Sequence, residues 1–191
     1  MLFRSGDTKT ADALGDAYED FPEDADEQLD AHKVLKIASD CKGFGNAAFK
    51  GGDVALALDK YQKGLRYINE EPETKDESDD LKAQLEQLRF VLNNNSAMMN
   101  LKLESWEDAE RAASNALLVQ GVADADKAKA YFRQGQALVK LKDEDGAIEA
   151  FQQAKKLAPN DAAITRELEA VKKAAAARVA KQKSQYKKFF A

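Results

Sequence analysis

Three cations and several amides recur in this chain at offsets that put them on one side of a helix: Lys42 and Asn46, then Asn94 and Asn95, then Lys129, Arg133 and Gln136. Ammonium and guanidinium groups flanked by amide N–H donors suit the holding of carboxylates, because hydrogen bonds to an ionised acceptor are shorter and stronger than neutral ones. No nucleophile accompanies them. His32, the one histidine, stands in "LDAHKVL" without a partner at useful spacing and reads as surface. Cys41, the one cysteine, falls on a packing position as a small buried hydrophobe. The stretch "KDEDGAIEA" imitates a calcium loop, but Leu141 and Gln152 stand at its first and twelfth ligand positions, so it reads as a turn between helices. The expectation is a binding surface with no catalytic residue, no metal and no cofactor.

Helices must position these groups. Only three prolines interrupt 191 residues dominated by Ala, Leu, Lys, Glu and Gln, and 44% apolar content is enough for a core, which together predict an all-α protein. Gly45, Ala97 and Gly135 are each followed twelve residues later by Ala57, Ala109 and Ala147, and four residues beyond those Tyr61 and Phe151 recur in the first and third copies. The spacing predicts helix-turn-helix units of 34 residues at about 38–71, 90–123 and 128–161, with an 18-residue insertion at 72–89 and four extra residues before the third unit. Small residues let paired helices approach, and the rings fill space between units. Packing therefore explains Gly45, which costs up to about 1 kcal/mol in helix propensity. Trp106 reads as interhelical packing.

At 100° per residue, Cys41, Phe44, Gly45 and Ala48 share one side of the first helix, and Lys42, Asn46 and Phe49 share the other. Met98 holds the equivalent free side in the second copy; Lys129, Phe132, Arg133 and Gln136 hold it in the third. Stacked units would join these faces into one concave groove. "LNNNSAMMNLK" departs from the pattern, since Asn93, Ser96 and Asn100 occupy packing positions that should be apolar. Leu81, Leu85 and Leu88 form a helical stripe, so the insertion should lengthen the helices around the first inter-repeat turn.

The fullest copy, "AKAYFRQGQALVKLKDEDGAIEAFQQAKKLAPND", resembles the tetratricopeptide repeat. That resemblance implies three repeats in a right-handed superhelix over residues 31–161, closed by a C-terminal capping helix with a basic extension over 162–191. Lys42, Asn46, Asn95, Lys129 and Arg133 are similar at all five positions to the dicarboxylate clamp of tetratricopeptide co-chaperones. By that resemblance they would hold the terminal α-carboxylate and last aspartate of a tail ending Glu-Glu-Val-Asp, that of the cytosolic ninety-kilodalton heat-shock chaperone. The seventy-kilodalton chaperone's tail shares the ending and is a second candidate. Phe49, Met98 and Phe132, on the same free faces, would touch the peptide's valine and upstream side chains. "YEDFPED", the long insertion and the ending "YKKFFA" further resemble, from about Gly15 onward, the C-terminal half of the large, forty-kilodalton cyclophilins. In that family an isomerase domain precedes the acidic linker, and these residues do not contain it.

The net charge of −5 is unevenly spread: residues 1–30 hold ten acidic and two basic side chains, and residues 162–191 hold two acidic and eight basic. The first segment reads as an acidic linker or arm, and the last as a solvated capping helix. Overall acidity argues against nucleic acid, and few large apolar anchors on the terminal helix argue against calmodulin. A different class of function, a scaffold or dimerisation module acting through the long helices and the basic end, remains the alternative. One cysteine suits a reducing compartment, and no run approaches the ~18 apolar residues of a membrane span, so the expected setting is cytoplasmic, away from membranes.

Overall fold

The computed structural model describes residues 30–69 and 78–189, with side chains through Tyr186. The acidic arm up to residue 29, the first part of the insertion and the last side chains of "YKKFFA" lie outside the described residues. Among those described there are seven helices and no strand: α1 (Ala31–Lys50), α2 (Val54–Asn69), α3 (Asp79–Lys102), α4 (Trp106–Leu118), α5 (Asp124–Lys140), α6 (Glu144–Leu157) and α7 (Ala162–Phe189).

One local device repeats at three hairpins. A residue with positive φ, Gly52, Glu104 or Lys142, ends the link from one helix, and a polar residue follows directly before the next: Asp53, Ser105 or Asp143. Each lies seven residues beyond the small residue of its first helix, Gly45, Ala97 or Gly135. The αL residue turns the chain, and the aspartates then accept from otherwise orphaned amides, Leu56 N to Asp53 at 2.9 Å and Gly146 N to Asp143 at 3.0 Å. "KDEDGAIEA" is thus the end of a helix-connecting turn, Lys142 and Asp143, followed by the first turns of α6, with Asp143 as the cap. Asp30 and Asp161 cap α1 and α7 in the same way.

The chain divides into two compact units between Asn95 and Ser96, within α3. In the first unit α1 packs on α2. A Cβ placed on Gly45 would sit 2.4 Å from Tyr61 Cε1, so the ring occupies the space that glycine leaves. Gly64 meets Leu92 and Cys41 in the same close fashion. Leu81, Leu85 and Leu88 are buried along the first half of α3, which the insertion extends back to Asp79. Two lysines of α2, Lys60 and Lys63, are also buried. Burial draws the Lys60 ammonium below its usual range, against the pull of Asp59 at 3.6 Å.

Cys41 is wholly buried, and loss of hydration pushes its thiol up to about 11, with Lys63 and then Lys60 opposing. The thiolate is the nucleophile, so the native thiol should be inert near neutral pH. Iodoacetamide at pH 8 is expected to label Cys41 only as fast as the protein opens. Labelling at a free-thiol rate without denaturant would contradict this burial.

In the second unit α4 packs on α5, α5 on α6 and α6 on α7. Ala97 of α3 meets Ala112 and Ala113 of α4. Gly135 of α5 repeats the role of Gly45: its Cβ would lie 2.6 Å from Phe151 Cε1. Phe151 joins Ala147, Leu168 and Val171 in a core against which Phe132, Leu138 and Ile148 pack. After Val171, α7 is exposed through Tyr186 except for a half-covered Ala175, and Arg178 pairs with Glu144 at 2.9 Å. Trp106 is half-buried at the start of α4 with the Lys140 ammonium 5.2 Å from its ring centroid.

Between Leu92 and Asn100 only Asn95 and Met98 keep partial exposure, and they align with Val91 and Lys102 in one stripe at helical spacing. Asn93, Ser96 and Asn100 are buried at their packing positions although they are polar. Asn93 satisfies its amide by donating to the Arg89 carbonyl at 3.0 Å, one turn back. Asn94 corrects the sequence reading. Assigned there to the free face, it is 6% exposed, because it sits 100° off this narrow stripe on a helix covered on most sides.

Candidate functional site

Helical spacing puts Lys42 and Asn46 one turn apart on α1, where Lys42 is half-buried and Asn46 exposed. The Asn46 Oδ1 accepts the Tyr61 hydroxyl at 2.8 Å. Asn95, half-buried on α3, also belongs to the first unit, and Phe49 is half-buried near the end of α1. His32 is exposed.

The second unit contains a groove of about 630 Å³. Lys129, Phe132, Arg133 and Gln136, spaced along α5, line it together with Met98, Leu101 and Lys102 from α3. Lys129 reaches Asp126 at 2.9 Å one turn earlier, yet 61% of its side chain stays exposed. Such an exposed pair contributes about 0–1 kcal/mol, so a ligand carboxylate can displace it. The Arg133 Nη2 lies 3.5 Å from Met98 Sδ, which leans the guanidinium over the thioether. Phe132 packs on Phe151 with ring centroids 5.7 Å apart, fixing its ring between core and groove.

Three of the lining side chains are cationic, Lys102, Lys129 and Arg133, against one carboxylate, Asp161, which is engaged in capping α7. Met98, Leu101, Phe132 and Ile164 supply apolar wall beside them. A ligand suited to this lining carries a carboxylate next to an apolar side chain. Sequence reading had placed Lys129, Arg133, Met98 and Phe132 on the free face and missed Leu101, Lys102 and Ile164. Lys102 was visible as the continuation of the Asn95 and Met98 stripe; Ile164 was not, since it reaches the groove from α7. Among the described residues no group of His, Cys, Asp and Glu could hold a metal ion, and no helix is long and apolar enough to cross a membrane.

Residues 128–161 match the family model of the tetratricopeptide repeat. The chain is also similar to solved structures. The C-terminal tetratricopeptide-containing domain of a Plasmodium falciparum FK506-binding protein is 24% identical with a TM-score of 0.65, over 83% of this chain and 97% of that one. The first tetratricopeptide domain of Spaghetti (RPAP3), bound to the HSP90 peptide SRMEEVD, is 25% identical with a TM-score of 0.60, over 78% and 98%. The second such domain of human RPAP3, in complex with the HSP70 peptide SGPTIEEVD, is 25% identical with a TM-score of 0.56, over 74% and 98%. The fold is that of tetratricopeptide helical repeats followed by a C-terminal helix.

Proposed function

We propose that this tetratricopeptide-repeat domain is a peptide-binding co-chaperone module that holds the acidic C-terminal tail of the ninety-kilodalton heat-shock chaperone. Lys42, Asn46, Asn95, Lys129 and Arg133 bind the tail's two terminal carboxylates, and Phe49, Met98 and Phe132 contact its apolar side chains. The carrying observation is the α5 groove, where exposed Lys129 and half-buried Arg133 stand beside Met98 and Phe132 and match a ligand that ends in an apolar residue and a carboxylate. Similar domains bind SRMEEVD and SGPTIEEVD, peptides with that ending. The repeats occupy about 38–71, 90–123 and 128–161, followed over 162–191 by a capping helix with a basic extension. A cyclophilin-type partner domain, suggested by the sequence resemblance, would be what the module delivers to the chaperone.

Calorimetry with SRMEEVD as free acid and as C-terminal amide tests the reading. Free acid should bind and the amide should lose most of its affinity. Alanine at Lys42, Lys129 or Arg133 should each cost about 1.5–3 kcal/mol, the scale of a hydrogen bond to a charged group, or roughly ten- to hundredfold in Kd. Unchanged affinity in all three, with helicity intact, would favour the scaffold reading instead. SGPTIEEVD in the same titration measures the preference between the two chaperones.

A further inference from the structure

We infer that Tyr61 is a positioning residue that turns the Asn46 amide into a donor aimed at the ligand, an inference that rests on the carboxylate-binding reading above. An asparagine side chain ends in one acceptor and one NH2 donor, and a carboxylate can use only the donor. On an exposed helix face an unrestrained amide presents either end. Here the Tyr61 hydroxyl donates to Asn46 Oδ1 at 2.8 Å, from a side chain that is itself 1% exposed. With its oxygen held at the α1–α2 contact, the amide directs its NH2 away from that contact, toward the exposed face on which Lys42 also lies.

The third repeat supplies an internal control. Phe151 fills the slot beside Gly135 as Tyr61 fills the one beside Gly45, with would-be Cβ contacts of 2.6 and 2.4 Å. The slot therefore accepts a plain phenyl ring, and packing alone does not call for a hydroxyl. The second repeat has no ring there at all, since Ala113 stands sixteen residues after Ala97 as Tyr61 does after Gly45. The third copy also carries an amide after its glycine, the longer Gln136, opposite a ring without a hydroxyl, whereas in the first copy the hydroxyl and the short Asn46 amide are hydrogen-bonded. That hydrogen bond, in a slot that needs no hydroxyl for packing, assigns the hydroxyl to the orientation of the amide.

The test is a double-mutant cycle with Tyr61→Phe and Asn46→Ala, titrated with SRMEEVD as free acid and as amide, and with melting curves to confirm folding. Tyr61→Phe should leave the melting temperature close to that of the parent and weaken free-acid binding about three- to tenfold, as expected for one hydrogen bond. It should leave the residual amide binding unaltered, so discrimination between the peptides shrinks. In the Asn46→Ala background the same substitution should have no further effect. A full Tyr61→Phe loss persisting in that background would mean a structural role and overturn the inference. So would unchanged free-acid binding in Tyr61→Phe when Asn46→Ala alone weakens it. If Asn46→Ala itself leaves binding unchanged, the carboxylate role of Asn46 fails, and the inference with it.

Discussion

Replacing Phe151 by alanine should destabilise the second unit by about 3–5 kcal/mol, the range for deleting a fully buried phenyl ring. The upper part of that range is expected for a specific reason. Phe151 is wholly buried among Ala147, Leu168 and Val171, and the helix facing it offers Gly135, which has no side chain to move into the void. The cavity should stay open, and Phe132 loses the ring on which it packs, so groove binding weakens as well. Urea unfolding of the variant measures the loss. A cost below about 1 kcal/mol would show that the slot refills by collapse, and that the ring is not the keystone of α5 and α6 packing.

Deleting residues 162–191 should cost several kcal/mol, because it uncovers the face of α6 that Ile164, Leu168 and Val171 bury, and each large aliphatic contributes about 1.5–3 kcal/mol. The deletion also removes Ile164 from the groove wall. Truncation after Lys173 should instead leave the melting temperature nearly unchanged. Beyond that point only Ala175 is half-covered, and the Arg178–Glu144 pair is half-exposed on the arginine side and contributes little. Differential scanning calorimetry of the two truncations decides the point. Equal melting temperatures would refute a capping role confined to the first turns of α7.

The packing register was legible because it depends on small residues and rings at fixed offsets. Gly45 and Gly135 mark close helix approaches as their spacing required, but Tyr61 and Phe151, expected between units, lie against the glycine of their own repeat, because the missing Cβ leaves a slot there that a ring fills. Ile164, Leu168 and Val171 form the buried stripe of α7. Legibility failed where burial depends on how many neighbours surround a helix. An arc drawn on one helix allowed Asn94 to be free, yet α3 is covered on so many sides between Leu92 and Asn100 that a 100° offset suffices to bury it. Lys60 and Lys63 are hidden for a related reason: a lysine pattern carries no sign that the aliphatic stems will be covered. The groove showed the same division. Its α5 residues followed from periodicity, whereas Ile164 enters from a helix 28 residues further on than Gln136 and no local pattern links the two. The Tyr61 to Asn46 hydrogen bond spans fifteen residues and could be seen only once both helices were in place.

The glycine-ring slots also constrain how such a repeat can change by single steps. Gly135 with Phe151, and Ala97 with Ala113, are two working solutions at the same pair of positions. Passing from the first to the second needs two substitutions, and either order crosses a poor intermediate. Alanine at the glycine first drives a Cβ to 2.6 Å from a buried ring; alanine at the ring first opens a cavity of the kind that costs about 3–5 kcal/mol. The two positions are therefore epistatic, each tolerating change only in the presence of the other's change. Against a total stability of about 5–15 kcal/mol, either intermediate uses up a large share of the margin. A lineage starting from the ring-filled form would be held there by the depth of that valley, whether or not the alanine pair were the more stable end point.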